Sequence, residues 1–307
     1  MHTPAAPSSL RSSPAWHGVA LALAGAVAFS GKAIIAKLAY RHPVDALTLV
    51  ALRMLVALPF FVAMAWWAGR GRPALQRCDL LAVAGLGFSG YYLASTLDFI
   101  GLQYISASLE RLILYLTPTA VTLLSLLLGS RRGTPPSWQT WAAMALGYGG
   151  LLLVFGQELS LEGPRVMLGA GLVLASTLSY ALYLIYSGEV VRRLGSLRLA
   201  GWASSVACGL CLLQFVLLRP LDTLAAVAVP VWWLSLLNGT ACTVAPVLMV
   251  MMAVERIGAA RSSQLGMVGP ISTILLGVAL LDEPFTGWLV AGTLCVLASV
   301  TWLARSR

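Results

Sequence analysis

Apolar stretches long enough to cross a bilayer recur from Trp16 almost to the C-terminus, with only short polar gaps between them. Breaks at Gly, Pro and charge clusters divide the 307 residues into spans near 16–38, 45–68, 79–101, 106–129, 138–156, 166–187, 197–218, 231–253, 259–281 and 285–303. Composition agrees: 59% of residues are hydrophobic and 10% charged, with mean hydropathy +0.86, where a soluble domain carries about 25% charged residues. The expected fold class is therefore all-α and polytopic, with ten transmembrane helices and no stretch left over for a soluble domain. Residues 1–15, rich in Ser, Pro and Ala, read as a disordered cytoplasmic tail. A cleavable signal is the weaker reading of the first apolar run, because that run continues to about Lys37.

Net charge is +9, but the basic residues fall mostly between spans instead of forming a stripe for nucleic acid. They report orientation. With the N-terminus inside, inner gaps hold thirteen Lys and Arg and outer gaps hold four, namely Lys37, Arg41, Arg165 and Arg219. That bias predicts an even number of spans with both termini cytoplasmic. Trp16, Trp66, Trp67, Trp138, Trp232, Trp233, Trp288 and Trp302 lie near span ends, as headgroup anchors do. Five cysteines, an odd number, argue against a complete disulfide framework, and Cys208 and Cys211 read as small apolar helix residues.

The chain repeats itself. A shift of 152 residues places Gly87 on Gly239, Ile105 on Ile257, Ala107 on Ala259 and Pro118 on Pro270, and a shift of 151 brings Phe29 onto Tyr180. Five spans per half is odd, so the second half enters the membrane from the opposite side, an inverted arrangement typical of secondary transporters. The two-repeat layout, the segment Pro43–Arg53, the mid-span Pro118 and Pro270 and the Leu280–Pro284 ending of span nine resemble the EamA family of the drug/metabolite transporter superfamily. The resemblance covers about residues 16–304. It implies two EamA-like repeats, 16–156 and 166–304, around a central cavity. It also implies transport, often export, of amino acids, metabolites or drugs in bacterial inner membranes. One departure is Arg131, which aligns with Glu283 where many members carry Glu in both halves.

Charges inside spans mark the candidate site, because an isolated charge in lipid costs several kcal/mol. Lys32, Arg53, Asp98, Glu110 and Arg111 all fall in the outer half of the membrane and in the first repeat. Expected pairs are Lys32 or Arg53 with Glu110, and Asp98 with Arg111. Three cations against two acids leave one positive charge, which favours an anionic solute group such as a carboxylate. Arg53 close to the outer surface can instead snorkel, and Asp98 can cap its helix. Tyr91, Ser95 and Asp98 share one face of span three, and Arg111, Tyr115 and Pro118 one face of span four. Tyr91 and Tyr115 are thus candidates to line an aromatic cavity for an amphipathic solute, ordinary packing being the alternative. Gln264 is the polar candidate from the second half, for solute or for an interhelical hydrogen bond. Pro118 and Pro270 are candidate hinges or static kinks.

Absent chemistry narrows the field. His2, His17 and His42 have no ligand spacing, no phosphate loop or nucleophile motif occurs, and no metal or cofactor is expected. The expected partners are a small organic solute, the bilayer, and protons if Asp98 or Glu110 exchanges one; a facilitator fits equally, and the oligomeric state is left open. The competing function is a membrane-embedded enzyme or lipid scramblase using the same charged cavity. Mixed acids and bases there favour binding over catalysis.

Overall fold

The structure, a computed structural model, describes residues 15–128, 137–162, 164–257, 265–266 and 268–305. Among the described residues the main helices group into ten segments along the chain. They are α1 (Ala15–Ala39), α2 (Ala46–Gly69), α3 (Arg77–Gly101), α4 (Ala107–Tyr115 with Thr117–Leu127) and α5 (Trp138–Glu162) in the first half. In the second half stand α6 (Arg165–Leu194), α7 (Ser196–Leu218), α8 (Val229–Gly239 continuing through Ala245–Ile257), α9 (Val268–Leu281) and α10 (Gly287–Arg305). Seven of these are long and apolar enough to cross a membrane, and α4 makes an eighth if its two bent pieces form one span. The described parts of α9 and α10 are shorter apolar helices.

Local chemistry sets the boundaries. Asp45 caps α2, accepting from the backbone N–H of Leu47 and Thr48. Gln76 and Asp79 form a reciprocal capping box at α3. Ser106 Oγ accepts the Leu109 N–H at the start of α4. Gly195, at φ +84°, makes the one-residue turn between α6 and α7, a conformation open to glycine. In α4 Pro118 has no N–H to return to Leu114, whose carbonyl takes the Thr117 hydroxyl instead at 2.5 Å. The helix breaks at Leu116 and bends by 41°. Pro270, the repeat mate of Pro118, is buried in α9.

The halves are related by exchange. α1 packs on α8 and α9, and α6 packs on α3 and α4; α2 meets α7, α4 meets α9, and α5 meets α10. Equivalent contacts recur residue by residue. A methyl group on Gly87 would lie 2.6 Å from the Ala203 carbonyl oxygen and 3.1 Å from Val206 Cβ; one on Gly239 would lie 2.8 Å from that of Arg53 and 3.0 Å from Val56 Cβ. Gly18 likewise meets Ile257 where Gly169 meets Ile105. With little hydrophobic driving force between helices in lipid, such close approaches are what hold them together.

A feature that hydropathy and repeat spacing do not announce is a π turn in each half, Phe88–Leu93 within α3 and Thr240–Val244 within α8. Their first residues are 152 apart, the repeat spacing. The eight tryptophans at predicted span ends are exposed at helix ends, where anchors belong. The five cysteines are free, with Cys208 and Cys211 buried in α7.

Candidate functional site

A cavity of about 350 Å³ lies between α1–α4 of the first repeat and α6–α8 of the second. Part of its lining comes in repeat-equivalent pairs: Phe29 with Tyr180 at the 151-residue shift, and Gly90 with Cys242, Tyr91 with Thr243, Ser95 with Val247 and Asp98 with Val250 at 152. The two π turns supply Gly90, Tyr91, Cys242 and Thr243. π turns are frequent at functional sites, because the extra residue interrupts the regular side-chain lattice.

Lys32, Arg53, Asp98, Arg111, Tyr91 and Tyr115 all line this cavity. Glu110 stands behind them, fully buried. Lys32 Nζ lies 2.6 Å from Asp98 Oδ2 and 3.4 Å from Glu110 Oε1. One lysine therefore serves two acids.

The expected Asp98–Arg111 pair does not form. Arg111 donates from Nε to Thr273 Oγ1 at 3.0 Å and from Nη2 to the Phe29 carbonyl at 2.8 Å, tying α4 to α9 and α1. Asp98 is nearer to Lys32 and is taken by it. Arg53 does not snorkel: it is 3% exposed, and its Cζ lies 4.3 Å from the Phe99 ring centre, a cation–π contact.

Aromatic groups line part of the rest, with Tyr183 packed against them. Tyr91 and Tyr183 are hydroxyl to hydroxyl at 3.3 Å with edge-on rings, and Tyr180 stacks on Tyr183. The Tyr115 hydroxyl donates to the Gly266 carbonyl, a second tie between α4 and the other repeat. Gln264 lies outside the described residues. Among the described residues no group of three or more His, Cys, Asp or Glu is placed to hold a metal ion.

Sequence reasoning missed Phe29, Phe61, Tyr180 and Ser204 as lining residues. The repeat alignment already matched Phe29 with Tyr180, and that match was the available signal. It also missed a clamp on α4. Glu283 accepts from the N–H groups of Ala107 and Ser108 at 2.7 and 3.3 Å and from the Ser108 hydroxyl at 2.5 Å. Glu158 accepts from the Ser106 N–H at 3.2 Å and from its hydroxyl. Lys37 donates to the Ile105 carbonyl beside them. One end of the bundle is thus tied across α1, α4, α5 and the α9–α10 connection.

This geometry, an intramembrane cavity between two exchanged repeats, matches the comparisons with known proteins. The model of the EamA-like transporter family fits the chain twice, over residues 16–156 and 167–305. The chain belongs to the EamA-like transporter family. Two relatives from Bacillus subtilis (strain 168) are each named as an uncharacterized transporter. YcbK is 29% identical over 271 residues, spanning 87% of this chain and 86% of the relative. YetK is 22% identical over 292 residues, spanning 92% and 86%. A solved crystal structure shares the fold, with TM-score 0.62 at 17% identity over 93% of this chain and 96% of its own. As an EamA-like protein the chain is an integral membrane protein, and its function is membrane transport of a small solute.

Proposed function

We propose that this protein exports a small organic solute from the bacterial cytoplasm across the inner membrane, by alternating access at the cavity between its repeats. The observation that carries the reading is the polarity of that cavity. Asp98 in the first repeat has Val250 as its repeat mate, and the mates of Glu110 and Arg111 are Ser262 and Ser263. Because the repeats run in opposite directions, equivalent positions lie toward opposite membrane faces. One end of the cavity is charged, and the other is apolar and aromatic.

Solute contacts are assigned to Lys32, Arg53, Asp98, Arg111, Tyr91 and Tyr115, with Glu110 sharing Lys32 from behind. The thirteen-to-four distribution of Lys and Arg supports cytoplasmic termini and hence a charged end toward the outside. Movement is driven by a gradient, either of the solute itself or of protons exchanged at the acid pair. The bend at Leu116 and the matching Pro270 are the proposed flexing points.

Flux in proteoliposomes against a panel of amino acids, organic acids, amines and lipids tests this. The expected result is saturable movement of one solute class, reduced at least tenfold in Lys32→Ala and Arg111→Ala. No flux for any solute, or undiminished flux in both variants, overturns it; lipid flipping alone would point to a scramblase.

A further inference from the structure

We infer that the solute is an organic monoanion and that Arg53 is its anchor, gripping a carboxylate through the Nε and Nη2 edge of the guanidinium. The inference rests on the transport reading and deepens it. Five ionisable side chains meet at the charged end, three basic and two acidic, and the geometry accounts for two of the bases. Lys32 is shared by Asp98 and Glu110. Arg111 is held by Thr273 and the Phe29 carbonyl. Arg53 is left over.

Among the described residues no carboxylate lies within 4.0 Å of Arg53, and its Nε and Nη2 are buried without a hydrogen-bond partner. The Phe99 ring beneath its Cζ supplies a face for the charge but no acceptor for the N–H groups. Nε and Nη2 carry the two parallel N–H bonds of one guanidinium edge, the fork that matches the two oxygens of a carboxylate. Buried donors in a native fold are almost always paired. Two unpaired donors on one edge, on a side chain that lines the cavity, leave the partner to come from the cavity. The charge sum agrees, since three cations less two anions leave +1.

Beyond the charged end the walls include Phe61, Tyr91, Tyr180, Val247 and Val250, which suit an apolar or aromatic body. A volume of about 350 Å³ falls at the lower end of the roughly 300–1,000 Å³ range of small-molecule sites.

The test uses the purified full-length protein in detergent and three carboxylates of increasing bulk, butyrate, hexanoate and 3-phenylpropionate, each against its uncharged primary amide. Binding is read from intrinsic fluorescence and from the shift in melting temperature. The wild type should prefer the carboxylate over its amide at least tenfold, most strongly for 3-phenylpropionate. Arg53→Gln should abolish that preference, so that acid and amide are bound alike. Arg53→Lys, which keeps the charge and loses the fork, should retain only part of it.

A wild type that responds equally to acid and amide, or to neither, overturns the inference, and so does a preference that survives in Arg53→Gln. If Arg53→Gln does not fold, the wild-type ratio and Arg53→Lys decide the matter. Saturable flux of neutral or cationic solutes that ignores Arg53 would overturn the anchor and leave the transport reading standing. Absence of flux for every class would remove the transport reading itself.

Discussion

Lys32 is shared between two carboxylates on different helices, Asp98 on α3 and Glu110 on α4, and its side chain is only 17% exposed. Breaking a buried ion pair costs about 3–5 kcal/mol, because the partner charge stays behind without compensation. Lys32→Met should therefore lower the melting temperature sharply, and Lys32→Met combined with Asp98→Asn and Glu110→Gln should restore most of the loss. Glu110→Gln alone should change stability little, since Lys32 keeps Asp98. Scanning fluorimetry in detergent reads all three, and a single Lys32→Met that melts like wild type would show that the acids have another counter-charge. The members of this cluster were legible in the sequence, because a charge inside an apolar span announces that it needs company. The choice of partners was not. Arg111 reaches Thr273 across 162 residues of chain, and the facing of α4 against α9 is encoded in no periodicity of either helix.

Helix α4 shows how an element can be held by chain far away in sequence. Its first N–H groups have no partners within the helix, and Glu283 and Glu158 accept from them and from the serines beside them. Negative charge at a helix N-terminus also meets the positive end of the macrodipole. Glu283→Ala should cost about 1–2 kcal/mol by analogy with the loss of a helix cap, seen as a lower melting temperature; an unchanged value would mean that Glu158 suffices. In the sequence Glu283 belonged to a loop motif, and nothing in that motif pointed to α4. The cap of α2 is local by comparison, with Asp45 bonded to Leu47 and Thr48 just ahead of it. Partial burial pushes the Asp45 carboxyl up, but hydrogen bonds from Thr48 and the Arg219 guanidinium outweigh it and hold the group below its ordinary value. A carboxyl lowered in the folded state stabilises above its unfolded value and loses that contribution as pH falls through the folded one. The melting difference between wild type and Asp45→Ala should thus be constant from about pH 7 to 5 and shrink below about pH 4; a difference that persists in acid would assign the cap to another group.

At the scale of the whole chain, the all-helical character, the repeat and the repeat-equivalent part of the lining follow from patterns that are visible in the sequence, because glycines and prolines at one interval are hard to place by chance. The proposed topology makes a direct prediction: alkaline phosphatase fused after His42 should be active outside, and a fusion at Gly195, in the α6–α7 turn, should be inactive. The reverse pattern would turn the charged end of the cavity toward the cytoplasm. What spacing could not reveal were the π turns, since they depend on which carbonyl each N–H selects. They have a consequence for how the gene can change. Substitutions in Phe88–Leu93 or Thr240–Val244 alter one surface at a time, but losing a single residue there would restore ordinary winding and erase the wide turn, leaving the helix beyond it facing much as before, because a π turn spends one residue more on nearly the same rotation. In α3 the groups displaced would be Gly90 and Tyr91, on the cavity wall itself. The two halves therefore keep a common count, and removing one residue from either turn is felt at the cavity wall, where Gly90, Tyr91, Cys242 and Thr243 stand.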